Sequence, residues 1–262
     1  MPDSDLAIMQ PEYLAKLCMQ RVNTQMHSWH EQVPWELFLE YVLPYAVLSE
    51  PRDTSLELLA KLEEYLIQFV RPGRLDTTAL GLNYRAFDFT TPRITFHPAK
   101  PNKVNAYSPK QVIHDKLASC TGESVFLVYC LRVVGVPARV AGVPHWNRSA
   151  AICPQGIKSP ACGNHNWVEV YLGLTRGWAF LDQNSLNGLN KGFFFPAQTN
   201  ELIPGDYFHA VYASTWNRTA GNKYFPLVFD PNYKQVSAVD HTQFYHDLAN
   251  NSNEKEIWMA TS

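Results

Sequence analysis

Cys120 is the residue whose position in the sequence most strongly indicates a reactive side chain. It stands just ahead of an apolar run, residues 125–134, which is followed by Pro137. Because Ser119 and Thr121 favour helix starts and proline cannot continue a helix, the stretch predicts a buried helix with Cys120 in its first turn. The unpaired N–H groups and the positive dipole end of such a turn favour a thiolate, the form of cysteine that attacks carbonyl carbon.

A base and a residue that orients it follow in two predicted strands. Residues 167–171 and 178–181 are rich in aromatic and other β-forming residues, and a glycine-containing segment of hairpin length joins them. His165 lies at the start of the first strand and Asp182 at the end of the second. Antiparallel pairing brings these two ends together, so Asp182 can hold the His165 ring while the ring faces Cys120.

Each of these residues also has a structural interpretation. A buried cysteine at a helix end, a histidine on an edge strand and an aspartate in a turn are all common. Only the set of three, with Cys120, His165 and Asp182 in the right order and at facing strand ends, favours a catalytic triad.

The same blocks of sequence together resemble the transglutaminase-like superfamily. They are the cysteine block with residues 132–140 behind it, residues 164–171 and residues 178–182, and the strong resemblance covers residues 105–195. Shorter stretches, at 84–89, 108–111 and 224–228, look like a bacterial branch of that superfamily. The resemblance implies an α+β fold with a papain-like core, in which one central helix packs on an antiparallel sheet.

The sequence departs from the better-known pattern of this superfamily at the oxyanion site. We find no tryptophan or glutamine upstream at a convincing spacing, so the candidate donors besides the Cys120 N–H are Tyr107, Gln111 and His114. Asn166 follows the histidine where the superfamily often has alanine or serine. Trp146, in a long loop before His165, is a candidate for lining a substrate groove, and covering the core is an equal alternative.

These residues predict cysteine-dependent acyl transfer on a peptide or peptide-like amide through a thioester intermediate. The substrate would be a peptide, a protein or an amide-containing small molecule, and either water or an amine could accept the acyl group. The alternative is a non-catalytic binding or scaffolding module that keeps the fold. The intact triad favours the enzyme.

The composition excludes several other classes of protein. The chain has 262 residues, 46% hydrophobic and 18% charged, with a formal net charge of −2 and no long basic run, which argues against nucleic acid as a partner. No apolar stretch is long enough to span a bilayer, and the N-terminus lacks a signal-peptide pattern. We therefore expect a protein of the cytoplasm, or one exported with its signal removed. There is no calcium-loop signature, and no cofactor is expected.

The other cysteines predict neither a disulfide framework nor a metal site. Of the five cysteines, Cys18 and Cys130 lie in helical apolar patterns and are expected to be buried. Cys153 and Cys162 bracket a loop and could form a disulfide or remain thiols. Zinc binding by these two with His145 and His165 is not expected, because the spacing of known zinc motifs is missing.

We expect two regions: an N-terminal helical lobe over residues 1–73 and a catalytic core with a C-terminal strand extension over residues 74–262. Periodicity predicts helices in the lobe from Pro11, over residues 35–43 and over residues 53–69, the last capped by Asp53. Residues 75–107 predict an irregular connection. Further strands are predicted at 211–215 and 225–229.

Overall fold

The chain is described by a computed structural model over residues 5, 7–29, 31–98, 108–148, 162–217, 223–227 and 233–260. In chain order the first helices are α1 (Pro11–Ser28), α2 (Trp35–Tyr41), α3 (Leu56–Ile67) and α4 (Leu75–Arg85). A 3₁₀ turn (Ala86–Phe89) and the short strand β1 (Thr95–Phe96) follow, and then α5 (Pro109–Asp115), β2 (Leu117–Ala118) and α6 (Cys120–Val133). The remaining elements are β3 (Ala138–Val143), β4 (His165–Tyr171), β5 (Trp178–Leu181), α7 (Ala197–Asn200), β6 (Tyr212–Thr215), β7 (Ser237–Asp240) and α8 (Thr242–Ala260).

The N-terminal helices form close to where periodicity predicts them. The start of α3 differs, because its N-cap is Ser55, whose hydroxyl accepts a hydrogen bond from Leu58 N at 3.1 Å. The predicted cap, Asp53, instead accepts from Ser55 N at 3.0 Å and so shapes the turn before the helix. The side chains of Leu59, Leu62 and Leu66 are buried, as expected for the inner face of an amphipathic helix.

The prediction of an irregular connection from residue 75 was wrong for its first part, since residues 75–85 form helix α4. Leu75, Ala79 and Leu82 lie at helical spacing and are buried, but threonines and Gly81 dilute the pattern in the sequence. Packing against α6 stabilises this helix where intrinsic propensity is weak.

Helix α6 is the centre of the molecule. It packs against β3 and β4 on one side and against α1, α3, α4 and α5 on the other, and its residues from Thr121 to Val133 are all buried. Gly135 follows the helix with a φ of 78°, a left-handed conformation that suits glycine after a helix end. The predicted central helix is thus confirmed.

One five-stranded sheet covers α6, with strand order β5-β4-β3-β6-β7 and antiparallel pairing throughout. The β4–β5 register pairs Val168 with Leu181 and Tyr171 with Trp178, so the start of β4 and the end of β5 lie at the same edge. The predicted α+β class, with a central helix on an antiparallel sheet, is confirmed. Of the predicted strand 225–229, the structure describes residues 225–227, where only Leu227 is a bridge position, and an isolated bridge pairs the preceding residue, Tyr224, with Ser237.

The outer face of the sheet carries a second core and a buried ion pair. An aromatic cluster that includes Trp167, Phe180 and Phe194 packs here against Tyr245 of α8. Arg139 of β3 donates to Glu169 of β4 at 2.7 Å, and the Tyr245 hydroxyl donates to the same carboxylate at 2.8 Å. These contacts fix β4, the strand that begins with His165.

The N-terminal helices share the apolar core of α6 rather than forming a separate one. Leu17, Trp29 and Leu62 belong to the same buried cluster as Phe126 and Val170. The division into regions 1–73 and 74–262 stays a prediction.

Candidate active site

Cys120 occupies the first position of helix α6, where the sequence places it. Ser119 is the N-cap, and its hydroxyl accepts a hydrogen bond from Gly122 N at 3.4 Å. Backbone N–H groups of Thr121 and Asn166 donate to the Cys120 sulfur, which is also hydrogen bonded to the His165 ring. A sulfur that accepts this many hydrogen bonds is suited to negative charge.

His165 and Asp182 meet at the edge formed by the start of β4 and the end of β5. His165 Nε2 lies 3.0 Å from Asp182 Oδ1, and the two side chains are 10% and 13% exposed. Because Nε2 is held by the carboxylate, the other ring nitrogen remains for the Cys120 thiol. The structure thus brings together the three side chains that the sequence sets apart by 45 and 17 residues.

The electrostatics of Cys120 and His165 favour an ion pair between them. Burial works to raise the pKa of the Cys120 thiol, but the His165 hydrogen bond and charge outweigh it, and the pKa lies below its ordinary value. Burial works to lower the pKa of His165, but the hydrogen bonds to Asp182 and Cys120 raise it to about 9. Between these two pKa values the pair is a thiolate and an imidazolium.

The segment that carries Asp182 is held by side chains which the sequence analysis did not single out. Asn83 of α4 donates from its amide to the carbonyl oxygens of Asp182 at 3.0 Å and Ser185 at 2.9 Å. Gln183 donates to the Cys120 carbonyl at 3.4 Å. A turn rich in asparagine after β5 is visible in the sequence, but its partners come from elements distant in the chain.

Asn166 lies between the histidine strand and the helix start, and it is half-buried. Its Oδ1 accepts a hydrogen bond from the Thr121 hydroxyl at 2.7 Å, and its amide lies over Gly142 of β3. The side chain therefore links β4 to the first turn of α6, and a role for Asn166 toward a substrate stays a prediction.

Aromatic rings surround the imidazole on the outer side of the sheet. The Phe193 ring centroid lies 4.9 Å from that of His165 and the Phe194 centroid 5.3 Å, and Phe193 is 65% exposed. Trp146 is half-buried and stacks on Trp167 and Phe194. Trp146 is therefore part of the outer core, the second of the two roles that the sequence allowed for it.

The candidate oxyanion donors upstream of Cys120 have other partners where the structure describes them. Gln111 closes a capping box with Ser108, accepting from its backbone N–H at 3.0 Å. His114 is 86% exposed and lies 2.9 Å from Asp115. Tyr107 lies outside the described residues. Helix capping and solvent exposure thus account for the present positions of Gln111 and His114, and an oxyanion role for either residue stays a prediction.

The other cysteines differ in state. Cys130 is buried, as predicted, but the prediction for Cys18 was wrong, because its position on α1 faces outward and the thiol is exposed. Cys162 is disulfide-bonded, while Cys153 lies outside the described residues. The His145 ring stacks on Phe208. Among the described residues no cluster of three or more His, Cys, Asp or Glu side chains could hold a metal ion.

Membrane insertion through a helix has no support in the described part of the chain. None of the helices there combines the length and the apolar character that a membrane span requires.

Comparison with known proteins gives a family match and similarity to solved structures. Residues 73–183 match the family model described as the transglutaminase-like superfamily. A crystal structure from Cytophaga hutchinsonii, provisionally named a cysteine protease, is 15% identical, with a TM-score of 0.39, covering 82% of this chain and 68% of that one. No relative was found among curated proteins.

The matched segment runs from the start of α4 to the residue after Asp182, so it contains the central helix, the first strands of the sheet and all three polar side chains of the site. Over residues 73–183 the chain is therefore similar to the transglutaminase-like superfamily.

Proposed function

We propose that the protein is a cysteine-dependent acyl-transfer enzyme that acts on a peptide or peptide-like amide. The observation that carries this proposal is the chain of contacts from the Cys120 sulfur to the His165 ring and from His165 Nε2 to Asp182, at the start of a buried helix. A cysteine held only for packing needs neither an ionic base nor a carboxylate behind it.

The first half of the proposed reaction forms a thioester. The Cys120 thiolate attacks the amide carbonyl carbon, and the carbonyl oxygen takes the negative charge. The N–H of Cys120, at the first helical position, has no acceptor within the helix, and in this proposal it stabilises that oxygen. His165 then gives its proton to the amide nitrogen, the C–N bond breaks, and the amine leaves.

The second half returns the enzyme to its starting state. Neutral His165 removes a proton from water or from an amine, which attacks the thioester carbonyl, and the C–S bond breaks. The thiolate leaves opposite the reformed imidazolium, while Asp182 keeps the ring in place. Water gives a carboxylic acid, and an amine gives a new amide.

The test is alkylation of Cys120 by sub-stoichiometric iodoacetamide across pH, with the modified peptides identified by mass spectrometry. At pH 6.5 an ordinary thiol of pKa about 8.5 is roughly 1% ionised, so we expect Cys120 to react about tenfold faster or more than an ordinary thiol. Cys18, which is free and exposed, is an internal standard in the same sample. His165→Ala should remove the advantage of Cys120.

A screen of peptide amides, with and without added amines, follows once Cys120 shows this reactivity. Turnover lost in Cys120→Ala and in His165→Ala would support the acyl-transfer reaction. If Cys120 instead reacts no faster than Cys18 at pH 6.5, the ion pair is not formed, and a binding or scaffolding module becomes the better interpretation.

A further inference from the structure

Phe193 is a large apolar side chain that lies beside the proposed base with most of its surface open to solvent. Its ring centroid is 4.9 Å from that of His165, at an interplanar angle of 57°, and the residue is 65% exposed. Exposed apolar side chains occur elsewhere on the molecule, and Leu174 is one of them. Phe193 differs from Leu174 because its ring contacts a residue of the candidate triad.

The turn that carries Phe193 holds the ring in place. Residues 193–195 are three consecutive phenylalanines, of which Phe194 is fully buried in the outer core and Phe195 is half-buried. The rings of Phe193 and Phe194 meet edge to face at 5.5 Å, and Phe195 N donates to the Gly192 carbonyl at 3.2 Å. Two of the three rings thus anchor the turn, and the third forms a fixed apolar surface beside the imidazole.

Gly192 brings the start of this turn against the other member of the His165–Asp182 pair. A β-carbon at Gly192 would lie 3.2 Å from the β-carbon of Asp182 and 2.8 Å from the Phe194 ring. A residue without a side chain permits this close approach of the backbone. With residue 192 beside Asp182 and the ring of residue 193 on His165, the turn borders the pair along both of its residues.

The proposed reaction determines which part of a substrate would meet the Phe193 ring. His165 gives its proton to the nitrogen of the scissile amide, so the leaving amine lies against the imidazole. An extended chain advances roughly 3.5 Å per residue, and the first substituent on that amine can therefore reach a ring that contacts the imidazole. An amine acceptor would occupy the same place, because His165 must then remove its proton.

We propose that Phe193 is a specificity-determining residue, the exposed wall of a subsite for an apolar and preferably aromatic group on the amine side of the scissile amide. The inference rests on the proposed function and names its substrate class, amides whose nitrogen carries such a group. An aromatic group against Phe193 leaves water and pairs with the ring. A polar group would lose hydration there, and phenylalanine offers it no hydrogen bond in return.

The test compares alkylation of Cys120 by two reagents that share an iodoacetyl group and differ on the amide nitrogen, N-benzyl-2-iodoacetamide and iodoacetyl-glycinamide. Cys18, which is free and exposed, reports the intrinsic rate ratio of the two reagents in the same sample. We expect the benzyl preference at Cys120 to exceed that at Cys18 by roughly three- to tenfold, the size of one aromatic contact. Phe193→Ala should remove this preference, and Phe193→Tyr, which keeps the ring, should retain it.

Two controls separate the subsite from the integrity of the site. Plain iodoacetamide carries no substituent that could reach Phe193, so its rate at Cys120 should be unchanged in Phe193→Ala. Leu174→Ala truncates another exposed apolar side chain, in the loop that joins β4 and β5 at the end opposite His165, and should alter none of the rates.

Equal preferences at Cys120 and Cys18 in the unaltered protein would overturn the inference, and so would a benzyl preference that survives in Phe193→Ala. If Phe193→Ala slows all three reagents by the same factor, the ring acts only by holding the imidazole, and the subsite is also overturned. Loss of the preference in Phe193→Tyr would rule out the aromatic contact. Slow reaction of Cys120 with iodoacetamide at pH 6.5, combined with a benzyl preference that depends on Phe193, would instead count against the proposed function alone.

Discussion

Gly142 shows how one residue without a side chain allows the candidate site to form. The Asn166 amide occupies the space over this glycine, and a β-carbon there would overlap Asn166 Nδ2 and lie 2.8 Å from the His165 carbonyl oxygen. Since Asn166 also accepts from the Thr121 hydroxyl, the space at Gly142 lets β4 and the start of α6 lie at their present separation.

We therefore expect Gly142→Ala to displace the start of β4. The variant should lose about 1–3 kcal/mol of unfolding free energy, as overpacking usually costs, and its Cys120 should lose the rapid alkylation at pH 6.5. Urea denaturation and mass-spectrometric alkylation measure the two effects. In Gly142→Ala/Asn166→Ala part of the stability should return, because the overlap with the side chain is gone while the close approach to the backbone remains.

Gly81 supplies the control for this substitution. It lies in helix α4, and a β-carbon there would meet nothing within 4 Å. Gly81→Ala should stabilise the protein by about 0.5–1 kcal/mol and leave Cys120 alkylation unchanged. Equal behaviour of the two alanine variants would contradict the role given to Gly142.

At the scale of elements, the start of helix α6 has both a structural and an electrostatic task. The helix begins at Cys120 because Ser119 caps it, and the same first turn directs N–H groups toward the sulfur. Helix α3 begins in the same way at Ser55 but has no reactive group near its start.

Ser119→Ala and Ser55→Ala should separate these two tasks. Each removes a hydroxyl that accepts from a backbone N–H and should cost about 1 kcal/mol of stability, measured by urea denaturation. Only Ser119→Ala should move the acid limb of Cys120 alkylation to higher pH, because the first turn of α6 then frays near the sulfur. A similar shift in Ser55→Ala would mean that general destabilisation, not the local cap, controls the thiol.

At the scale of the whole molecule, buried hydrogen bonds from Arg132 and Trp29 connect the N-terminal helices to the core. Arg132 of α6 is 1% exposed and donates to the carbonyl oxygens of Ala46 at 2.8 Å and Ala138 at 2.8 and 3.0 Å. From the other side, Trp29 of α1 donates its indole N–H to the Val134 carbonyl at 2.8 Å. If the donor is removed, no water can reach these buried carbonyl oxygens to replace its hydrogen bond.

Arg132→Ala should therefore destabilise the protein by about 3–5 kcal/mol, because it leaves a cavity and unpaired carbonyls. Arg176→Ala is the control: it removes an exposed ion pair with Asp76 and should cost no more than about 1 kcal/mol. Circular dichroism and tryptophan fluorescence should report one common unfolding transition in all three proteins. Separate transitions would show that residues 1–73 unfold independently of the core.

Most of the local elements of this structure could be predicted from the sequence. Periodicity, turn residues and capping predict the helix that begins at Cys120 and the two strands that flank the hairpin loop. The order of the three polar residues is read directly from the chain. Helix α4 could not be predicted in this way, because threonine and glycine interrupt its apolar periodicity and tertiary packing stabilises it. No spacing in the sequence singled out an upstream oxyanion donor, and Gln111, one of the candidates, caps its own helix.

What the sequence by itself determined is which elements form and which residue types stand at their ends, since these depend on neighbours a few positions away. Only the tertiary structure determined which hydrogen bonds hold the ends of these elements and how the side chains there are ionised. The hydrogen bond of Asn184 to Glu123 spans 61 residues and that of Asn83 to Asp182 spans 99. The pKa of Glu123 depends on burial and on charges from three separate elements, and no local pattern in the sequence encodes that environment.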